Sequence, residues 1–448
     1  MTRNYIVGKD KVHMLEKEVG YLHIIPFDLG YAFFDILSVD NCKNLQMTND
    51  FLDSLTGYCA EKKFDIKRTF ELKRDKKRIY GYKCNDEIVD KSLCRIRLNE
   101  NLCVFILLSG IGCFVLYDNG TACLEDIDIE WQNKIFEINY TKRKSQKALL
   151  TGRIFESEAK AFVNERKLMK DFMIKSWEIL KLVSKKCKIK CVREYSSNLN
   201  YKNNGLSYVL TVYLLRKNAF TDKELEYLLY SPFVDEIGIT SEKAKRLIDE
   251  FKVDETYLCS SNQARYMFSW AAVLAEMEEV PKTLDKIFKH IGLSRIIKQE
   301  IYVQSRWFLA DNSLDNAMKS FNNKLVGLQR LDGVLEHYEA ELNNEISANM
   351  TTEEKEMLRH IIFTSDVNAL YSSAKRQIKI QMKLKEEHEE KIKKRNVFIL
   401  SIFMAVFTAC SLYSEVNDII TGEQQNIGLL VTMLVIAVGA VVIDYWNK

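Results

Sequence analysis

Lys394, Ser401, Thr408 and Glu415 stand seven residues apart, with Ser411 beside them, around a run (residues 397–413) that holds no charged side chain. On a helix this spacing keeps them near one face. Polar groups within lipid-grade sequence turn to protein or to water. Repeated about a symmetry axis, the face would make a cationic ring at one mouth, hydroxyl rings inside and a carboxylate ring at the other mouth. Carboxylate rings attract cations and hydroxyls substitute for hydration water, so the chemistry on offer is ion passage. Ser and Thr in an apolar helix also bond back to the i−4 carbonyl or allow close packing, and that reading stays open beside the first.

A second group suits an anion. Lys185, Lys186, Lys188, Lys190 and Arg193 crowd into nine residues, and a further Lys/Arg-rich stretch covers residues 62–83. On a strand, Lys188 and Lys190 would share a face and could receive an anionic ligand; a solvated face is the plainer alternative. Other chemistry is missing. There is no G-x-x-x-x-G-K-[ST], no G-x-G-x-x-G opening a helix, no G-x-S-x-G and no His/Cys nucleophile signature. The 11 cysteines are scattered without a C-x-x-C pair, and the six histidines form no H-x-x-x-H or H-E-x-x-H pattern. We expect reduced thiols in a cytosolic body, no zinc site, no enzyme and no tightly bound cofactor. With 65 basic against 62 acidic side chains, global charge gives no reason to expect DNA or RNA binding.

Two elements must carry the polar face. Residues 397–413 and 427–443 are uncharged, and each has about the minimum length for a helix to cross a bilayer core. Residues 414–426 between them are acidic, while Lys391, Lys393, Lys394 and Arg395 stand just before the first run. The positive-inside rule then puts the body and both termini on the cytoplasmic side of the inner (plasma) membrane, the lipid bilayer being the first partner. The N-terminal sequence has no apolar h-region, so no signal peptide is expected. Residues 102–117 are also uncharged, but Ser109-Gly110-Ile111-Gly112 interrupts them, and two buried strands joined by a glycine turn are expected there.

Upstream, no Gly or Pro occurs from residue 334 to 421. Thr351 and Glu354 form a capping-box pattern, and apolar residues follow at helical spacing: Leu358, Ile361, Ile362, Val367, Leu370, Ala374 and Ile378. The pattern predicts one helix of about 60 residues, some 90 Å, running from there into the first span. A partner helix is predicted over 313–347, with the bend at 349–352. The body reads as strands at 64–72, 78–83, 93–98, 104–108, 113–117 and 135–140, a helix at 156–184, and a strand at 206–215 after an Asn203-Asn204-Gly205 turn. A helix capped at Thr221, another at 241–251, and strands at 257–260 and 266–270 follow. From Pro281 on the chain reads helical. The fold class is therefore an α+β cytosolic domain (1–280), a long helical stalk (281–396) and two C-terminal transmembrane helices (397–448), in a homo-oligomer, because two spans alone cannot enclose a water-filled path.

This arrangement resembles the CorA superfamily of two-span divalent-cation transporters: an α/β body, an antiparallel helix pair ending in a very long helix, two C-terminal spans, an acidic outer loop and a basic stretch near the inner face. The resemblance implies a homo-oligomer, a pentamer in that family, whose first spans line a pore and whose cytosolic domains form a funnel. It implies Lys394, Ser401, Thr408, Ser411, Glu415 and Asn417 as pore-lining residues, with Mg²⁺ or another divalent cation as the ion. The family's Gly-Met-Asn signature at the outer end of the first span reads here Tyr413-Ser414-Glu415-Val416-Asn417, where only Asn417 corresponds. The chain is closer in kind to divergent CorA-like proteins of type III CRISPR defence, which look like membrane effectors gated by a nucleotide second messenger such as a SAM–AMP conjugate. Lys185, Lys186, Lys188, Lys190 and Arg193 would then hold that nucleotide. The expectations are a ligand-gated cation channel, a housekeeping magnesium or other divalent-metal transporter gated by cytosolic metal, or a membrane-anchored binding protein that conducts nothing.

Overall fold

Apolar runs of six or seven residues without a charged break are interior strands when both faces of their sheet are covered. Two such runs, β7 (Leu102–Leu107) and β9 (Leu210–Arg216), are buried along their length, save Arg216 at the end of β9, and β12 (Ala272–Met277) is buried throughout although it carries Glu276, 3.6 Å from Arg265. A computed structural model describes residues 2–7, 10–31, 33, 41–68, 70–75, 78–83, 92–125, 163–189, 210–220, 225, 229, 259–261, 264–269, 272–319, 325–345, 351–421 and 427–447. The chain divides into two units, Met1–Ile378 and Lys379–Lys448.

The first unit is built on one ten-stranded sheet. Its order is β10 (Cys259–Ser261), β11 (Ala264–Phe268), β12, β9, β2 (Asp10–Asp28), β8 (Ile111–Glu125), β7, β6 (Ser92–Arg97) and β3 (Asp65–Arg68), with β1 (Thr2–Val7) folded onto the first half of β2. Among the described residues, only β9 and β12 pair in parallel. A separate ribbon joins β4 (Phe70–Asp75) to β5 (Arg78–Lys83). Pro26 is tolerated inside β2 because the β9 pairing ends at Ile24, leaving β8 as the partner there. The turn joining β7 to β8 needs Gly110, whose φ of 79° belongs to the left-handed region. Residues 102–117 are thus two buried strands, as expected.

Helices cover both faces. On one, α1 (Asn41–Lys62) and α2 (Val163–Cys187) bring Phe51, Leu55, Phe172 and Leu180 onto Ile25, Phe27, Val104, Ile106 and Phe114. On the other, Phe105 meets Phe288 of α3 (Leu284–Lys289) edge-on at 6.0 Å, and Arg97 of β6 grips Asp285 through both carboxylate oxygens at 2.8 Å. α4 (Ile291–Lys319) packs against β2 and β8 and against α3, α5 (Leu325–Glu345) and α6 (Thr352–Thr364). Phe27 lies across from Gly112 and stacks on Phe114 at 4.6 Å, so a methyl at Gly112 would collide with a ring that has little room to withdraw. We expect Gly112→Ala to cost about 1–3 kcal/mol; an unchanged thermal midpoint would show that the ring has space to move.

The structure corrects several expectations. β2, α1 and β12 were not foreseen, and β8 runs to Glu125 rather than ending at 117. The single helix over 313–347 is two helices: Arg306 of α4 pairs with Glu341 of α5, so α5 runs back along α4. The helix from 352 into the apolar run is also two, α6 and α7 (Val367–Thr421). Thr364 and Ser365 turn their hydroxyls onto the carbonyls of His360 and Ile362, and Asp366 sits at a φ of 50°, which ends α6 two residues before α7 starts. The capping box at Thr351 and Glu354 stands as read. The strand at 135–140, the turn at 203–205, the cap at Thr221 and the helix at 241–251 lie outside the described residues.

The second unit holds the rest of α7 and α8 (Ile427–Asn447). At 55 residues α7 is about 80 Å long. Among the described residues it is the one helix long and apolar enough to cross a membrane, and α8 carries a shorter apolar stretch, Leu430–Val442.

Candidate functional site

The polar face of the first apolar run lies on α7. Lys394 and Thr408 are exposed, and Ser401 is half-buried. Ser411 donates from Oγ to the Phe407 carbonyl at 2.9 Å, so its hydroxyl is engaged with its own helix. Glu415 and Asn417 belong to the same helix, because α7 runs on to Thr421. Residues 414–421 of the 414–426 loop expected are therefore helical. Around the polar positions the surface is apolar and bare: Phe407 is 71% and Phe403 68% exposed, with Val397, Leu400 and Met404 exposed beside them. A contiguous apolar surface of this kind requires lipid or protein to cover it.

The basic cluster is only partly brought together. Lys185 and Lys186 lie in the last turn of α2, where cations complement the helix dipole. Lys186 Nζ donates to Asp50 Oδ2 of α1 at 3.0 Å, and that bond raises its pKa. Lys188 takes a left-handed conformation (φ 55°), and the amides of Lys188 and Ile189 close the helix on the carbonyls of Lys185 and Ser184. The strand that was to align Lys188 with Lys190 is thus a helix C-cap at Lys188, while Lys190 and Arg193 lie outside the described residues. In the other basic stretch, Arg68 reaches Asp53 at 2.5 Å and Thr56 at 3.2 Å.

A third group was not read from the sequence at all. Arg306 of α4 is 3% exposed, with its guanidinium carbon 4.1 Å from the Tyr338 ring centre and 4.8 Å from that of Tyr302. Its Nη2 donates to Glu341 Oε2 at 2.6 Å. Burial works to lower the guanidinium pKa, but Tyr302, Glu341, Tyr338 and Tyr371 outweigh it and hold the group charged. Tyr371, on the second turn of α7, is fully buried, and burial raises its phenol. One turn further, Lys375 Nζ donates to Glu339 at 2.7 Å and lies 3.9 Å from Glu336. The only local signal was an arginine set in an apolar stretch of α4; its partners come from 35 and 65 residues away. On the same helix Glu300 is buried, accepts from Gln304 Nε2 at 3.1 Å and has its carboxyl pushed up to about 7, chiefly by burial.

Among the described residues no group of three or more His, Cys, Asp or Glu side chains is placed to hold a metal ion. Cys59, Cys94, Cys103 and Cys113 are free and buried, and burial pushes the Cys59 thiol up to about 11 and Cys103 to about 12, which makes them poor nucleophiles. The architecture thus offers an apolar helix with a polar seam, joined through the same helix to a buried Arg–Tyr cluster. No family model, curated protein or solved structure matches the chain.

Proposed function

We propose that this chain is one subunit of an oligomeric, CorA-like membrane cation channel, opened by a nucleotide second messenger that binds its cytosolic α/β body. The observation that supports the reading best is α7 itself. Val367, Tyr371, Ala374 and Ile378 are core residues, whereas Val397, Leu400, Phe403, Met404 and Phe407 of the same continuous helix are bare. One helix thus carries both core residues of the folded body and an apolar surface that lipid or its own copies would cover. Two apolar helices per chain cannot surround water, so the pore is formed by several α7 helices, with Ser401 and Thr408 inside and Glu415 at the outer mouth. Lys391, Lys393, Lys394 and Arg395 precede the span on the cytosolic side. The basic residues at the end of α2, continuing to Lys190 and Arg193, are where the nucleotide phosphates would be received.

The test is cation flux from liposomes carrying the purified full chain. We expect SAM–AMP or a related nucleotide to trigger leak, and Glu415→Lys to lower cation conductance about tenfold by reversing the charge at the mouth. Full conductance in Glu415→Lys removes Glu415 from the pore. Flux without nucleotide that cytosolic Mg²⁺ suppresses would replace the reading with a metal-gated transporter.

A further inference from the structure

α6 and α7 are held in different ways. α6 is fixed to α4, where Gln299 Nε2 donates to the Glu354 carbonyl at 3.0 Å and Arg295 Nε lies 3.3 Å from the Glu354 carboxylate. α7 begins after a two-residue joint, Ser365-Asp366, crossed by two long hydrogen bonds: Asp366 N to the Phe363 carbonyl and Leu370 N to the Asp366 carbonyl, both 3.2 Å. The left-handed φ of Asp366 is a strained conformation for a residue with a side chain. Beyond the joint, Lys375 is a polar hold on α5 through Glu339, and Tyr371 is buried.

That hold is incomplete as it stands. Arg306 spends only Nη2, while its buried Nε and Nη1 make no hydrogen bond. The buried hydroxyl of Tyr371, on the helix opposite and within electrostatic reach of the guanidinium, makes none either. Two donors and one acceptor, enclosed together and unspent, are a cost that a small displacement would remove. Lys375 has a matching choice: Glu339 at 2.7 Å and, one turn back on α5, Glu336 at 3.9 Å.

We propose that the contact of α4, α5 and α7 is a two-position catch. In the position seen, Arg306 holds Glu341 alone and Lys375 holds Glu339. In the second, α7 has turned about Ser365-Asp366, the Tyr371 hydroxyl accepts a hydrogen bond from Arg306, and Lys375 has passed to Glu336. Packed helices take discrete arrangements rather than deforming continuously, so the motion is a switch between two contacts. The catch acts on the first turns of α7, within the first unit, whether or not the chain forms a pore.

The test is hydrogen exchange on the full chain in detergent micelles, read at the amides of Asp366 and Leu370, whose bonds break when α7 turns. Tyr371→Phe takes no hydrogen bond from the position seen and removes the bond that rewards the second, so exchange there is expected to slow about fivefold. Glu336→Gln should slow it as well, and Glu339→Gln should speed it. Unchanged or faster exchange in Tyr371→Phe overturns the proposal, because the hydroxyl would then be engaged already or serve packing alone. Loss of nucleotide-triggered flux with the exchange pattern intact would count against the channel reading and not against the catch.

Discussion

Glu341→Ala is expected to lower the stability of the folded chain by about 3 kcal/mol, the lower end of what breaking a buried ion pair costs. The reason lies with the partner left behind. Arg306 is 3% exposed and keeps its charge in the folded state, so removing Glu341 strands a cation among tyrosine rings with no carboxylate to pair it. The lower end applies because Glu341 is itself 18% exposed, and water can enter where its carboxylate was. The paired change Arg306→Met with Glu341→Leu should recover most of the loss, since an apolar pair of similar volume strands no charge. Denaturant unfolding of the three proteins in one detergent decides it. If the single and double variants fall equally, the arginine is held by packing and the ion pair contributes little. Tyr371→Phe, by contrast, leaves the pair intact, which separates the stability role of Arg306 from its role as a catch.

What could be read from the sequence was whatever has a local cause. The Thr351–Glu354 capping box needs only four residues, and the β7–β8 hairpin needs a glycine at Gly110 between two apolar runs; both were legible and both are present. The apolar stretch of α7 was legible for the same reason. β2 was not, because its first half, through Lys17 and Glu18, is charged and gains its strand form from β1 along Asp10–Leu15 and from β8 from Met14 onward. α1 was hidden by Thr48, Ser54, Thr56 and Gly57, although Met47, Phe51, Leu55 and Cys59 are four residues apart and form its buried stripe. The break at Ser365-Asp366 carries neither Gly nor Pro; it depends on two hydroxyls hooking back onto carbonyls and on Asp accepting a left-handed turn.

The candidate site divides along the same line. The seam of Lys394, Ser401, Thr408, Ser411 and Glu415 follows from spacing alone. The Arg306 cluster does not, since a charged residue on a helix reads as surface until the helices that enclose it are placed. Lys188 shows the reverse error: a run of alternating lysines read as a strand, yet the preceding helix carries through Cys187 and needs a left-handed residue to close it.

Glu300 gives the second large effect, and its sign depends on pH. Its ordinary value of 4.5 rises to about 7 in the folded state, with burial as the main cause and the Gln304 amide working the other way. A carboxyl whose pKa is raised by folding favours the folded state while it is protonated in both states, below pH 4.5. As pH climbs from 4.5 to about 7 the unfolded chain ionises and the folded chain resists, so stability falls through that window. Above pH 7 the folded state bears a buried carboxylate, at a cost of about 3 kcal/mol. Glu300→Gln keeps an oxygen to accept from Gln304 and cannot ionise. It should therefore stabilise the chain by about 3 kcal/mol at pH 8, and by less than about 1 kcal/mol at pH 5. Thermal unfolding of both proteins at those two pH values reads the difference directly. Equal gains at both would mean that Glu300 is solvated or paired when ionised, and a loss at pH 8 would mean that the carboxylate itself holds α4 in place.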